Sequence, residues 1–237
     1  KPLDHSKVKI GYLPEERGMY DGVGLVDQLT YFGMLKGMKK KAAQTEAKKW
    51  LEYFELEDNK QALKTLSKGN AQKIQIIQSV MNDPDILVFD EPFSGLDPVN
   101  VSKLKEIITD FIKKDKLVIF SSHQMPVVET FCEDINILEK GKITLSGNLD
   151  YIKKQLGHGK MILSVSGFEK EELLANLRAV PLDIEYSLVP EGVLLDFKEE
   201  GAKKELLARL AGSTFNIEEF KLYKPTLEEI FKEQVGK

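Results

Sequence analysis

Two short apolar runs separated by one amphipathic segment constrain the fold of this 237-residue chain more than any other feature. The runs are Ile86 to Phe89 and Leu117 to Phe120, and in the segment from Val99 to Lys113 apolar residues recur every three or four positions. Short apolar runs between polar residues are typical of strands buried on both faces of a parallel sheet. Strand, helix and strand in this order predict a right-handed crossover and an α/β fold.

The region before the first apolar run is largely helical. A short strand over Val8 to Leu13 precedes apolar residues that recur at helical spacing in three segments, Leu25 to Leu35, Ala42 to Phe54 and Ala71 to Met81. These segments predict a helical subdomain at about residues 24–82. After the second run, a short helix at Val127 to Cys132 and a hairpin about Lys140-Gly141 complete a first domain, residues 1–147.

Residues 148–237 follow a different pattern, which predicts a small second domain. The order is strand, helix, strand, strand, helix, strand and a final helix, and its first six elements are those of a ferredoxin-like α+β domain. The predicted segments are 161–165, 170–177, 182–189, 193–197, 202–210, 215–222 and 226–233. No cluster of histidine, cysteine or paired carboxylates within them supports a site of its own.

Composition excludes several classes of function. The formal charge of −4 and the pI of about 5.6 give no overall basic field, so nucleic acid is not an expected partner. The apolar runs are far shorter than the ~20 residues of a spanning helix, so any membrane link is expected through a partner. The single cysteine, Cys132, fits a reducing compartment and hence the cytoplasm.

The polar residues that follow the two apolar runs are candidates for catalysis. At the carboxyl edge of a parallel sheet, where ligands bind, Asp90 could hold Mg²⁺ through water and Glu91 could act as a general base. The imidazole of His123 could hydrogen-bond a γ-phosphate or the attacking water. A helix-capping pair and a structural histidine are the alternative interpretations of these three residues.

Leu66 to Asn70 predict a second candidate site, at the start of the third helix. The Ser67 hydroxyl, the flexible Gly69 and the exposed N–H groups of a helix N-terminus suit an anion by geometry and dipole. The alternative is an ordinary cap, because Ser67 or Asn70 could begin this helix without binding anything.

Five segments together resemble the ATP-binding cassette (ABC) family in content, order and spacing. LSKGN resembles its signature motif, ILVFDEP its Walker B strand, SGLD its D-loop and FSSHQM its switch-histidine segment, while IGYLPEERGMY resembles the loop that leads to the helical subdomain. They occupy residues 66–70, 86–92, 94–97, 120–125 and 10–20. The segment LYKPTLEEIF, residues 222–231, resembles the tail of exporter-type cassettes of the drug or sodium export kind.

The resemblance implies an α/β core of the P-loop NTPase type and the ATP-binding subunit of an ABC exporter, which hydrolyses ATP with Mg²⁺. It implies two catalytic residues, Glu91 and His123, and two metal-binding residues, Asp90 and Glu15. The nucleotide-binding residues would be Glu15, Ser67, Lys68, Gly69, Asn70 and Asp97. Most cassettes have glutamine where this chain has Glu15, with Glu16 beside it, so which carboxylate would reach the ion stays open.

The resemblance also implies partners and a location. These are a second cassette, identical or not, and an integral membrane permease that holds the subunit at the inner face of the cell membrane. The transported substrate would depend on the permease. A soluble ABC ATPase without a transport role, or a non-catalytic regulatory protein, are the alternative functions.

One expected motif is missing from the 237 residues. No G-x-x-x-x-G-K-[ST] sequence occurs among them, and in the family this Walker A loop precedes the segment with which the chain begins. The chain starts at Lys1 without an initiator methionine, and the stretch Lys1 to Lys9 lacks a signal-peptide pattern. We therefore expect a chain truncated before the Walker A loop, which alone binds ATP weakly or not at all.

Overall fold

The computed structural model describes residues 8–16, 18–57 and 62–235. Most of the stretch Lys1 to Lys9 and Arg17 of the first loop therefore lie outside the described residues. The described residues form two compact units, one up to Gln124 and one from Met125 onward. Among these residues, no helix combines the length and the apolar composition needed to cross a bilayer.

The first unit contains the predicted parallel sheet. Strands β1 (Ile10–Leu13), β2 (Ile86–Asp90) and β3 (Leu117–Ser121) lie side by side in that order. Both pairings are parallel, with Leu13 opposite Phe89 and Phe89 opposite Phe120. The three strands therefore end at the same edge of the sheet, as the sequence predicts.

Four helices accompany this sheet, and they confirm the helical segments of the sequence within a few residues. They are α1 (Leu25–Leu35), α2 (Lys40–Tyr53), α3 (Lys68–Val80) and α4 (Pro98–Lys113). Helix α4 begins where Asp97 accepts a hydrogen bond from the Asn100 N–H and Pro98 fills the first helical position. Its inner face is apolar and buries Leu104, Ile107, Ile108 and Phe111.

The prediction that the strands are buried on both faces is wrong for the described residues. In β2 burial alternates, with Leu87 and Phe89 buried and their neighbours half-buried. Tyr12, Leu117 and Ile119 are about half exposed on the other face. The physical reason is that successive side chains of a strand point to opposite faces, and in the described residues only the face of Leu87 and Phe89 is fully shielded from solvent.

Helix α3 is more deeply buried than its sequence pattern predicts. Besides Ile74, Ile77, Val80 and Met81, the structure buries Gln72, Gln75 and Ser79. The cause is close packing on β1, where a Cβ on Gly11 would lie 2.2 Å from the carbonyl oxygen of Ser79. Helices α1 and α2 pack on other sides of α3, so nearly its whole circumference is covered.

The second unit begins with a hairpin and the helices around it. Helix α5 (Met125–Phe131) precedes strands β4 (Asp134–Glu139) and β5 (Lys142–Asn148), which pair antiparallel. Helix α6 (Leu149–Leu156), which the sequence analysis did not predict, is capped by the Asn148 side chain. The last helix, α9 (Leu227–Val235), joins this group in one buried cluster of Ile135, Ile137, Leu149, Ile152, Leu227 and Ile230.

The remaining elements form the predicted ferredoxin-like domain. They are β6 (Lys160–Ser166), α7 (Lys170–Arg178), β7 (Ile184–Val189), β8 (Gly192–Phe197), α8 (Glu200–Ala211) and β9 (Asn216–Leu222). The strand order is β7-β8-β6-β9 and all three pairings are antiparallel. This is the strand order of the split βαβ arrangement. In this order β8 lies between β7 and β6, and β6 pairs with β9, the last strand of the domain.

The boundary between the two predicted domains, after Gly147, stays a prediction. The units of the structure divide after Gln124, and the cluster that includes α9 contains residues on both sides of Gly147. Whether 125 or 148 is the better start of an autonomous domain depends on how much this cluster contributes to stability.

Candidate active site

The first polar cluster lies where β2 and β3 end. Asp90 is the last residue of β2 and is paired in register with Ser121, the last residue of β3. The Ser121 hydroxyl donates a hydrogen bond to the Asp90 carboxylate. Parallel pairing therefore places a carboxylate and a hydroxyl, two hard oxygen donors, side by side at the edge of the sheet.

Glu91 follows Asp90 in an unusual backbone conformation. Its φ of 46° lies in the left-handed region, which is uncommon for residues other than glycine. The Glu91 N–H donates to the Ser121 carbonyl at 3.2 Å, and the Glu91 carbonyl accepts from the Ser94 N–H at 3.1 Å. This turn ends the strand and directs the Glu91 side chain towards the segment that follows β3.

His123 and its neighbour hold the Glu91 carboxylate. The backbone N–H of His123 donates to Glu91 Oε1 at 2.8 Å, and His123 Nδ1 lies 2.9 Å from the same oxygen. The Ser122 hydroxyl lies 3.4 Å from Oε2. Because a carboxylate only accepts, the ring hydrogen bond requires a proton on Nδ1, so a neutral His123 has Nε2 free as an acceptor.

Exposure distinguishes the two members of this pair. The Glu91 side chain is only 16% exposed, whereas that of His123 is 76% exposed. A largely buried carboxylate held by two donors of one neighbouring residue has a fixed direction, while the imidazole can meet a ligand from solution. This geometry suits a positioned base with a solvent-exposed partner.

The signature-like loop contacts the D-loop-like segment. The Ser67 hydroxyl caps α3 by accepting from the Asn70 N–H at 3.2 Å, and Ser67 and Lys68 are exposed. A Cβ on Gly69 would lie 2.7 Å from the Gly95 carbonyl oxygen, and one on Gly95 would lie 3.3 Å from the Lys68 side chain. Only glycine permits this approach at position 69, and Gly95 also has a φ of 74°.

Two buried glutamines that the sequence analysis missed connect these segments. Gln72 Nε2 donates to the Pro92 carbonyl at 3.2 Å and joins α3 to the turn after β2. Gln75 Nε2 lies 3.4 Å from the Glu16 carbonyl and joins α3 to the loop after β1. The sequence signal for them is weak: they are polar residues on a predicted helix whose apolar face is formed by other side chains.

The remaining predicted site residues are more peripheral. Glu15 is exposed two positions beyond β1, at the sheet edge that also carries Asp90. Asp97 caps α4, and its hydrogen bonds from the backbone N–H and then the side chain of Asn100 hold the pKa of this carboxyl below its usual value. These hydrogen bonds are those of a helix cap. A nucleotide-binding role for Asp97 stays a prediction.

The donor set fits magnesium bound together with phosphate. Among the described residues, no group of three or more His, Cys, Asp or Glu gathers into a complete protein-only metal site. Mg²⁺ typically takes one or two carboxylates and completes its shell with water and substrate phosphates. Asp90, with the Ser121 hydroxyl beside it, meets that requirement.

Two models of known protein families match different parts of the chain. The model described as "ABC transporter" matches residues 1–94, and the model described as "ATP-binding protein DrrA1-3-like, C-terminal domain" matches residues 147–235. The first match includes the signature-like loop, β2 and Glu91. The second covers the ferredoxin-like domain and α9.

Two curated relatives and one solved structure illustrate the similarity. The uncharacterized ABC transporter ATP-binding protein YhaQ of Bacillus subtilis is 41% identical over 98% of this chain and 76% of its own. The linearmycin resistance ATP-binding protein LnrL of the same species is 27% identical over 100% and 78% of the two chains. A structure of the ATP-binding subunit of an ABC transporter superposes with a TM-score of 0.58 at 27% identity, over 72% of this chain and 68% of the other.

A second solved structure supports the fold alone. It is a dimeric ATP-binding cassette in a post-hydrolysis state bound to ADP and Pi, with a TM-score of 0.54 and 22% identity over 62% of this chain and 68% of its own. Two relatives are more than 40% identical to this chain, and the chain covers most of each of them. The strand-end carboxylates and the contact between the signature-like loop and the D-loop-like segment agree with this similarity. The chain belongs to the family of ABC transporter ATP-binding proteins.

Proposed function

We propose that this protein binds and hydrolyses ATP as the nucleotide-binding subunit of an ABC exporter, with Glu91 as the general base. The observation that carries the proposal is the Glu91 carboxylate, which β2 presents beside Asp90 and which His123 holds through two hydrogen bonds. A carboxylate in such a position can accept the proton of an attacking water.

His123 has two tasks in this proposal. Its backbone N–H and Nδ1 orient Glu91, and its exposed ring leaves Nε2 for the water or a phosphate oxygen. Because both donors come from one residue, a shift of the segment after β3 would move base and imidazole together. Catalysis would therefore depend on the position of this segment.

Asp90 is the proposed magnesium-binding carboxylate, directly or through water, with Glu15 as a second candidate from the loop after β1. The ion, when bound, would neutralise charge on the phosphates of ATP. Ser121 orients Asp90 by donating to its carboxylate, which leaves the other oxygen for the ion or its water. The exposed Glu15 side chain lies in the loop after β1, at the sheet edge that carries Asp90.

The signature-like loop, Ser67 to Asn70, is proposed to act in a second subunit's site. It is exposed at the N-terminus of α3, where the Ser67 hydroxyl and the helix dipole favour an anion. Ser67, Lys68, Gly69 and Asn70 would face the phosphates of ATP held by the partner cassette. The solved cassette of similar fold is described as dimeric, which favours a second cassette as the partner.

The transport role is proposed from the relatives. LnrL is described as a linearmycin resistance protein, which supports export as the direction of transport. The subunit would lie on the cytoplasmic face of the membrane and transmit nucleotide-driven closure to an integral membrane permease. Co-purification of such a permease with the protein tests this role separately from ATP hydrolysis.

The test of the proposed base is Glu91→Gln in the protein assembled with its permease. The amide keeps the size and can still accept from His123, but it cannot take a proton. We expect ATP binding to be retained and hydrolysis to fall by about 100-fold or more. Exposed Glu172 on α7 provides the matched control, because Glu172→Gln makes the same chemical change outside the site. Hydrolysis at the parental rate by the Glu91 variant would refute the assignment.

A further inference from the structure

A cavity lies between α2 and α4, and none of the candidate active-site residues lines it. Its volume is about 820 Å³, within the range of roughly 300–1,000 Å³ that small-molecule sites occupy. Its floor consists of the buried side chains of Val80, Met81, Ile107 and Phe111. We call it the α2–α4 pocket, and its floor suits an apolar body.

Two aromatic residues of α2 line the same pocket. Trp50 and Tyr53 are partly exposed, and their ring centroids lie 5.6 Å apart with the planes at 81°. Aromatic faces attract cations through their quadrupole, and tryptophan does so most strongly. The lining therefore offers a cation an attraction to an aromatic face, which bulk water does not provide.

The charged lining is mainly acidic. It contains five carboxylates and two lysines. The lysines pair with carboxylates of the lining, Lys49 with Glu46 at 3.8 Å and Lys114 with Asp110 at 3.7 Å. Of the three other carboxylates, Asp83 pairs with Lys116 outside the pocket, whereas neither Glu52 nor Glu106 forms an ion pair with a described lysine or arginine.

The pKa of Tyr53 is consistent with this acidic lining. Burial and then the hydrogen bond to Glu106, with the charges of Glu106 and Asp110, raise the pKa of Tyr53 to about 12. The Tyr53 hydroxyl donates to Glu106 Oε2 at 3.1 Å, which places this carboxylate against the rim of the aromatic ring. The pocket thus opposes added negative charge.

We propose that the α2–α4 pocket is a binding site for an organic cation with an apolar or aromatic body. The cationic group lies near Glu52 and Glu106, and the body packs against Trp50 and the apolar floor. A ligand in this position touches both the helical subdomain and the core. The proposal rests on the pocket alone and does not depend on ATP hydrolysis.

Trp50 supplies the experimental signal, because it is the only tryptophan of the 237 residues. The probes are 4-phenylbutylamine, 4-phenylbutanol and 4-phenylbutyrate, which share one apolar body and carry a positive, zero or negative charge. We expect a saturable change in Trp50 fluorescence with the amine, at least about tenfold tighter than with the alcohol, and none with the acid over the same range. Equal binding of amine and alcohol, or no saturation with the amine, would overturn the proposal.

Two variants separate the pocket from general surface charge. Glu52→Gln with Glu106→Gln removes both unneutralised carboxylates while residue 106 still accepts from Tyr53, and we expect amine binding to weaken about tenfold or more. The matched control is Asp115→Asn, an exposed site outside the pocket whose φ of 56° asparagine tolerates. Unchanged binding in the double variant, or an equal loss in the control, contradicts the assignment.

Discussion

At the scale of single residues, the backbone of Glu91 links conformation to the proposed chemistry. A left-handed conformation costs a non-glycine residue roughly 1–2 kcal/mol, and here the turn hydrogen bonds to Ser121 and from Ser94 offset that cost. Such strain is often kept at functional sites because it directs a side chain. The backbone conformation of Glu91 therefore gives a structural reason to expect a function there, in addition to the chemical reason given by its carboxylate.

Replacing Glu91 tests the strain directly. Glycine adopts a positive φ without a Cβ penalty, so we expect Glu91→Gly to be more stable than Glu91→Ala by about 1 kcal/mol. Urea unfolding of the two variants measures this difference. At Asp90, which lies in the extended backbone of β2, the order should reverse and alanine should be the more stable. The same order at both positions would mean that backbone strain is not the cause.

Sequence patterns predicted much of the site at this scale. The two apolar runs become neighbouring strands in the structure. This pairing brings together the polar residues that follow them, Asp90, Glu91 and His123. The patterns could not predict the φ of Glu91 or which of the two carboxylates meets His123. Both depend on the turn hydrogen bonds between β2 and β3, which join residues about 30 positions apart.

At the scale of elements, α3 is the helix that connects the segments of the site. Its N-terminus carries Ser67 and Gly69, and its side chains at Gln72 and Gln75 reach the turn after β2 and the loop after β1. Movement of α3 would therefore move both segments. The close approach of Gly69 to the Gly95 carbonyl oxygen is a further part of this connection.

Substituting Gly69 tests that contact. In Gly69→Ala the new Cβ meets the Gly95 carbonyl oxygen at 2.7 Å, and we expect a loss of about 1–3 kcal/mol in the free energy of unfolding. The matched control is Gly201→Ala in α8, where a Cβ meets nothing within 4 Å and alanine should stabilise by up to about 1 kcal/mol. Thermal or urea unfolding gives both values, and a neutral Gly69→Ala would show that the two loops separate easily.

Elements with strong local signals were predicted best. Helix α4, with its Asp97 cap, first-position Pro98 and apolar stripe, begins within one residue of the prediction. Helix α6 was missed, because it is only eight residues long and follows a strand without an intervening loop. Burial of the strands was predicted incorrectly because an apolar run shows a preference for strand but does not reveal which elements cover it.

At the scale of the whole molecule, the extent of the second unit can be tested by deletion. Residues 125–237 retain the cluster in which α9 packs against β4, α6 and their neighbours, including the Leu227 N–H that donates to Glu129. Residues 148–237 lose Ile135 and Ile137 from this cluster. Burying one such side chain contributes roughly 1.5–3 kcal/mol, so we expect the longer fragment to be the more stable by several kcal/mol.

Urea unfolding followed by circular dichroism measures this difference. The ferredoxin-like core of Leu163, Val193 and Leu195 is present in both fragments and serves as the internal control, since both should show a cooperative transition from it. Equal stability of the two fragments would favour the boundary after Gly147 that the sequence predicts. A marked loss in the shorter fragment would place the boundary near Met125.

The sequence by itself determined the fold class, the order of the elements, the family and the residue types at the sheet edge. These follow from local periodicity, from caps and turns, and from motif spacing, all of which can be read along the chain. Only the tertiary structure decided that His123 holds Glu91, that Gln72 and Gln75 connect α3 to its neighbours, and that Trp50 and Glu106 share a pocket. Each of these is a contact between residues far apart in the sequence, and its existence depends on how the helices and strands pack.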